Sequence, residues 1–236
     1  MNNQRIISCF AAVAAVFYAS EAQAGLEAGV NMTNNYVWRG VSQTDNKPAV
    51  QGNIQYNDDT SGLYAGLWGS NVNFEDFDGN TVTSEIDEFA GLAKSFDNGL
   101  GFDLNFTYYS YPDASSVSYG EVYLKGSYEW LTLGVAYTND YGGTEGTGVY
   151  YSLDVEHEVP EKLAMGLSGV TATAGIGYYD LDEQAGNSYV DYRAGLTKAI
   201  NKIFSIGIMG TDTNGKLLGD SLDGPHLLVN LTAVMS

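Results

Sequence analysis

Ten charged residues recur at alternate positions of apolar/polar segments: Arg39, Glu85, Asp87, Asp103, Glu121, Lys125, Asp154, Glu156, Asp191 and Arg193. Seven are acids and three are bases, and each falls on the polar face of its segment. A ring of carboxylates facing a wet bore favours cations, whereas rings of Arg or Lys favour anions and phosphate. The chemistry open to this set is electrostatic selection in a narrow, weakly cation-preferring pore. The competing arrangement is structural: the same charges pair with one another and close the bore, Arg39 and Arg193 each satisfied by neighbouring acids. Arg39 is the residue on which a constriction, or the holding of a first loop, would turn.

The elements that must position these charges are β-strands. Phe102, Leu104, Phe106 and Tyr108 fall on one face of a ten-residue segment, and Gly101, Asp103, Asn105 and Thr107 on the other. Strands place successive side chains on opposite faces. Such alternation repeated a dozen times predicts an all-β protein, a transmembrane antiparallel up-and-down barrel with an apolar face to lipid and a polar face to the lumen. The predicted strands are 26–39, 48–57, 62–71, 84–96, 100–110, 118–129, 131–140, 148–156, 164–179, 189–199, 203–212 and 225–235. Connections after the even-numbered strands are short, including one at 158–161, and those after the odd-numbered strands are longer and richer in Gly, Asp and Asn. The lipid face is expected to carry Ala28, Val30, Met32, Leu104, Phe106, Val122, Leu124, Leu133, Val135, Tyr151, Leu153, Ala194, Leu196, Ile206, Ile208, Val229 and Leu231. Trp38, Tyr56, Tyr64, Tyr108, Tyr128, Trp130, Tyr137, Tyr178 and Tyr192 sit near strand ends, where amphipathic rings suit the two interfaces. Twelve strands enclose more space than the roughly eight that side chains alone can fill.

Residues 1–24 read as a cleaved secretory signal peptide, with Arg5 as the positive n-region, Ile6 to Ala19 as the apolar stretch and Ala22-Gln23-Ala24 as the cleavage site. The barrel domain is then 25–236. The single cysteine, Cys9, lies in the signal, so neither a disulfide framework nor a thiolate site is expected in the mature chain. The 29 acidic and 10 basic residues, a net charge of −19, argue against nucleic acid and polyanionic ligands. No cofactor or metal is implied.

Two further functions bear on other residues of the chain. An outer-membrane lipid hydrolase needs a nucleophile and a base within hydrogen-bond reach. Only His157 and His226 are available, the latter with Ser221 nearby, and no Ser–His spacing on one strand face stands out, so no enzyme is expected. The acidic run Glu75-Asp76-Phe77-Asp78-Gly79-Asn80 has hard-cation ligands but lacks the full EF-hand spacing, and reads as a solvated loop.

The segment Tyr36-Val37-Trp38-Arg39-Gly40-Val41-Ser42-Gln43-Thr44, followed by Pro48-Ala49-Val50-Gln51-Gly52, resembles the opening of the TorF-family porins, proteobacterial outer-membrane proteins. Tyr64-Ala65-Gly66-Leu67-Trp68-Gly69-Ser70-Asn71-Val72, Glu85-Ile86-Asp87, Tyr108-Tyr109-Ser110-Tyr111-Pro112, Glu121-Val122-Tyr123-Leu124 and Gly177-Tyr178-Tyr179-Asp180 extend the resemblance along the chain. It implies a Gram-negative outer-membrane location, Sec export, and a pore passing small solutes. The implied partners are outer-membrane lipid and lipopolysaccharide, with periplasmic chaperones and barrel-assembly machinery during biogenesis. The chain departs from barrel habit in ending Ala233-Val234-Met235-Ser236, without a terminal aromatic residue.

Overall fold

The computed structural model describes residues 25–215 and 222–235; the expected signal peptide and Ser221 lie outside them. Twelve strands close into one antiparallel barrel. They are β1 (Gly25–Thr33), β4 (Ala49–Asp58), β5 (Leu63–Glu75), β6 (Thr81–Ser95), β7 (Leu100–Ser110), β8 (Tyr119–Tyr128), β9 (Leu131–Thr138), β10 (Gly148–Glu158), β11 (Val170–Leu181), β12 (Tyr189–Ala199), β13 (Phe204–Thr213) and β14 (His226–Met235). Each pairs with its neighbour in the chain, and β1 closes the ring on β14 through Ala28↔Met235 to Thr33↔Asn230. Closure leaves no strand edge unpaired, the condition for burying a sheet in lipid.

The outward face carries the expected apolar residues: Val30, Met32, Leu104, Phe106, Leu124, Leu133, Leu196, Ile206 and Leu231 are all exposed. Tyr56, Tyr108, Tyr128, Trp130, Tyr137, Tyr178 and Tyr192 also point outward. Trp38 and Tyr64 do not. Both are buried inside the barrel, which corrects their assignment to the interfacial belt. On β5 the outward set is Leu63 and Leu67, so Tyr64 and Trp68 must take the inner face. Tyr64 fits there because Gly91 lies opposite: a Cβ on Gly91 would stand 2.5 Å from the Tyr64 ring.

Two strand boundaries differ from expectation by six residues, the rest by four or fewer. The first strand ends at Thr33 rather than residue 39. Asn34 takes over its last bonds sideways, its Oδ1 accepting from the Val229 amide at 2.6 Å and its Nδ2 donating to Leu227 O at 2.9 Å. Asn35 then binds back on the following segment, its Oδ1 accepting from Ser42 Oγ at 2.7 Å and Thr44 Oγ1 at 3.0 Å. The chain therefore leaves the ladder and folds inward as a small hairpin, β2 (Val37–Trp38) and β3 (Val41–Ser42). Arg39 (φ 47°) and Gly40 (φ 82°) form its two-residue turn. Paired positive-φ residues are what a tight hairpin of this twist requires. The ninth barrel strand begins at Val170 rather than residue 164, so the connection expected at 158–161 extends over 159–169. Met165, Gly166 and Gly169, all at positive φ, are incompatible with an extended strand there.

Candidate channel lumen

All ten charged residues singled out in the sequence lie on the inner side, but Arg39 reaches it from the hairpin tip rather than from a strand end. Its guanidinium makes a bidentate pair with Glu121 on β8, Nη1 to Oε1 at 2.9 Å and Nη2 to Oε2 at 2.8 Å. The two side chains are 1% and 0% exposed. β8 stands on the far side of the ring from β1, so the hairpin spans the bore. The Arg39 guanidinium carbon also sits 4.2 Å from the Trp38 ring centroid, 4.1 Å from Tyr150 and 4.5 Å from Tyr179. Aromatic faces attract such a cation, the more so when water is excluded. Tyr109 Oη and Tyr179 Oη close the cage, each 3.4 Å from a Glu121 oxygen.

A second cluster joins β10 and β12 across β11. Arg193 on β12 pairs with Asp191 at 2.9 Å and with Asp154 on β10, and Asp191 accepts from Tyr150 Oη at 2.9 Å. Glu156, two residues beyond Asp154, shares its face and is half-buried. A third network on β5 and β7 runs from Tyr64, whose hydroxyl donates to Asp103 at 2.6 Å and accepts from Asn105 Nδ2 at 3.1 Å. Lys125 is the cross-strand partner of Asp103.

Glu85 and Asp87 occupy successive inward positions of β6 and are both buried. Tyr111 Oη donates to Glu85 Oε1 at 2.9 Å, but Glu85 Oε2 and Asp87 Oδ1 have no hydrogen-bond partner. The two acids face different spaces. Glu85 lines a vestibule of about 690 Å³ on the long-loop rim, and Asp87 lines a cavity of about 80 Å³ deeper in the lumen. Tyr36, Trp38 and Tyr109 border both spaces, so the hairpin and the aromatic residues it packs on form the partition.

The inward aromatic residues Tyr109, Tyr111, Tyr123, Tyr150 and Tyr179 were not singled out beforehand, nor was Glu27, a buried inward acid on β1. Several share strand parity with the charged residues, Tyr109 with Asp103, Tyr123 with Glu121 and Tyr150 with Asp154, and that parity is the signal the sequence offers. His226 begins β14 as expected, its Nε2 3.0 Å from Leu222 O and its Nδ1 3.4 Å from Asn35 Nδ2. His157 lies near the end of β10 rather than in a turn. In the acidic run, Asp76 is taken up by its own turn, accepting from the Asp78 and Asn80 amides at 3.0 and 2.8 Å. Among the described residues no group of three or more His, Cys, Asp or Glu converges as a metal site.

Residues 19–234 match a family described as a bacterial protein of unknown function (Gcw_chp). The chain belongs to that family. Among curated proteins, none matches this sequence. Among solved structures, this Gcw_chp member is similar to the NanC porin (TM-score 0.55, 11% identity, covering 89% of this chain and 98% of that one). It is also similar to the KdgM porin (TM-score 0.51, 12% identity, the same coverages) and to KdgM porin in complex with disordered oligogalacturonate (TM-score 0.50, 11% identity, 89% and 98%). At these identities the likeness is one of fold: a closed barrel of porin type.

Proposed function

We propose that this protein is an outer-membrane channel for passive diffusion of small solutes, preferring cations and neutral molecules over anions. The observation that carries the reading is the division of the lumen. A vestibule and an inner cavity are separated by a non-covalent partition, and the carboxylates of Glu85 and Asp87 face one space each with an oxygen unpartnered. Both described arginines are already held by acids. Oligogalacturonate, present in the KdgM complex, is a polyanion, and this acid-rich lumen is poorly matched to such a solute. The resemblance to TorF-family porins agrees with a pore. On this reading residues 1–24 are removed after Sec export, the apolar outer band meets lipid, the loop rim meets lipopolysaccharide, and chaperones and assembly machinery act only in biogenesis.

The test is single-channel recording of refolded protein in a planar bilayer under a KCl gradient. A cation-selective reversal potential that moves toward zero in Asp87→Asn supports the reading, and anion selectivity overturns it. A second reading, a closed structural or recognition barrel acting through its acidic loops, is favoured by the hairpin spanning the bore. Silence in the bilayer from a barrel shown folded by heat-modifiable gel mobility would select it. The likeness to porin barrels supports a channel over a lipid hydrolase.

A further inference from the structure

The long-rim vestibule is walled by aromatic rings and carries carboxylates as its charged groups. Tyr36, Trp38, Phe74, Tyr111, Tyr119 and Tyr141 supply the walls. The charged side chains lining it are Asp45, Glu75, Asp76 and Glu85, with no lysine or arginine among the described lining residues. Three of the four acids are on loops or the rim, and two of these are engaged locally: Asp45 pairs with Lys47 at 2.8 Å, and Asp76 caps its turn. Glu85 is different. It lines the space from the barrel wall, it is 3% exposed, it is fixed by the Tyr111 hydroxyl through Oε1, and its Oε2 is buried without a hydrogen-bond partner. A buried carboxylate oxygen without a donor is costly unless something supplies one. At about 690 Å³ the vestibule is of the size that takes a small organic molecule.

We infer that this vestibule binds an organic ammonium ion, with Glu85 as its anchoring carboxylate and the tyrosine and tryptophan rings as its cage. An ammonium satisfies both halves of the site at once: its charge meets the carboxylate, and its polarised C–H or N–H groups meet the aromatic faces. An anion meets only acids there, and a neutral molecule leaves the carboxylate uncompensated. The partition beneath the vestibule uses the same chemistry internally, since Arg39 is an organic cation seated among Trp38, Tyr150 and Tyr179 against Glu121. This inference rests on the cation preference proposed above and names the class of solute.

The experiment is a titration of the folded full-length mature barrel in detergent with choline, against its neutral isostere 3,3-dimethyl-1-butanol, read by calorimetry and by tryptophan fluorescence. Saturable choline binding at least tenfold tighter than that of the isostere is expected, falling at least tenfold in Glu85→Gln. The amide keeps an acceptor for the Tyr111 hydroxyl, so the variant should retain the fold, checked by gel mobility. Phe77→Ala, at a side chain 67% exposed on the vestibule rim, is a second variant that does not touch the barrel wall and should weaken choline binding several-fold. Equal affinity for choline and isostere, or choline binding unchanged in Glu85→Gln, overturns the inference. Because binding is read without current, a silent barrel that binds choline refutes only the channel reading, and a cation-selective pore indifferent to choline refutes only this one.

Discussion

Replacing Glu121 by Gln should release the inner hairpin and open the lumen without unfolding the barrel. The pair it breaks is bidentate at 2.8–2.9 Å, and both side chains are essentially inaccessible. Removing one partner of such a pair leaves an uncompensated buried charge and costs about 3–5 kcal/mol. At about 1.4 kcal/mol per decade, the fraction of time the hairpin spends displaced should rise roughly 140- to 3,700-fold. Two features push in opposite directions. Trp38, Tyr150 and Tyr179 still face the guanidinium, at about 0.5–2 kcal/mol each where water is excluded. Against that, Arg39 sits at φ 47°, a left-handed conformation costing about 1–2 kcal/mol that release relieves. The lower half of the range is therefore expected. The twelve barrel ladders do not involve the hairpin, so the cost falls on the hairpin alone. Single-channel recording should show longer or larger open events in Glu121→Gln, and none of this in Lys47→Ala, whose ion pair with Asp45 is 63% and 49% exposed. Glu121→Gln traces indistinguishable from those of the parent would refute the claim that Arg39 holds the partition shut.

Arg193→Ala should destabilise the barrel by about 1–3 kcal/mol, because it strips Asp191 and Asp154 of their shared partner while Arg193 itself is one-quarter exposed; an unchanged unfolding midpoint in urea would count against it. Gly66→Ala should cost about 1–3 kcal/mol, since its Cβ would stand 2.6 Å from the Phe89 ring and 2.5 Å from Ile54 O, and heat-modified gel mobility should shift to lower temperature. The loop 111–118 is docked through Asp113, whose carboxylate accepts from the Thr83 amide at 3.0 Å and Ser84 Oγ at 3.2 Å. These bonds, the Thr83 hydroxyl first, hold the Asp113 carboxyl below its ordinary value. A depressed value means the docking contribution is complete above the free-Asp range and is lost as pH falls through the docked value. Amide exchange at Thr83 should thus stay slow from neutrality down to about pH 4 and quicken only below it; release already at pH 6 would show that another group governs the loop.

The barrel was legible in the sequence because its cause is local. One side chain in two meets lipid, so alternation alone assigns strand, face and parity, and Asp103, Glu121 and Asp191 were placed inward on that rule. The hairpin was not legible for the same reason. Residues 36–41 alternate too, with Val37, Arg39 and Val41 against Tyr36, Trp38 and Gly40, and nothing periodic distinguishes a strand in the wall from one folded across the bore. What diverts it is a set of side chain-to-backbone bonds from Asn34 and side-chain bonds from Asn35, specific geometry that a pattern of hydrophobicity does not encode. Tyr64 takes the inner face that parity assigns it against Leu63 and Leu67, whereas Trp38, in phase with Met32, leaves the lipid face only because the hairpin carries it into the bore.

The consequence for selectivity runs through pairing rather than composition. Arg39 meets Glu121 across 82 residues of sequence, and Arg193 meets Asp154 across 39. Counting lumen charges treats all ten alike, but a charge paired with its opposite contributes little net field to a passing ion. Both arginines are held by acids, while Glu85 and Asp87 line one space each. The bases are thus taken up in holding the structure in place, and the acidic bias of the sequence is left to the acids that line the two spaces, Glu85 and Asp87 on β6 among them.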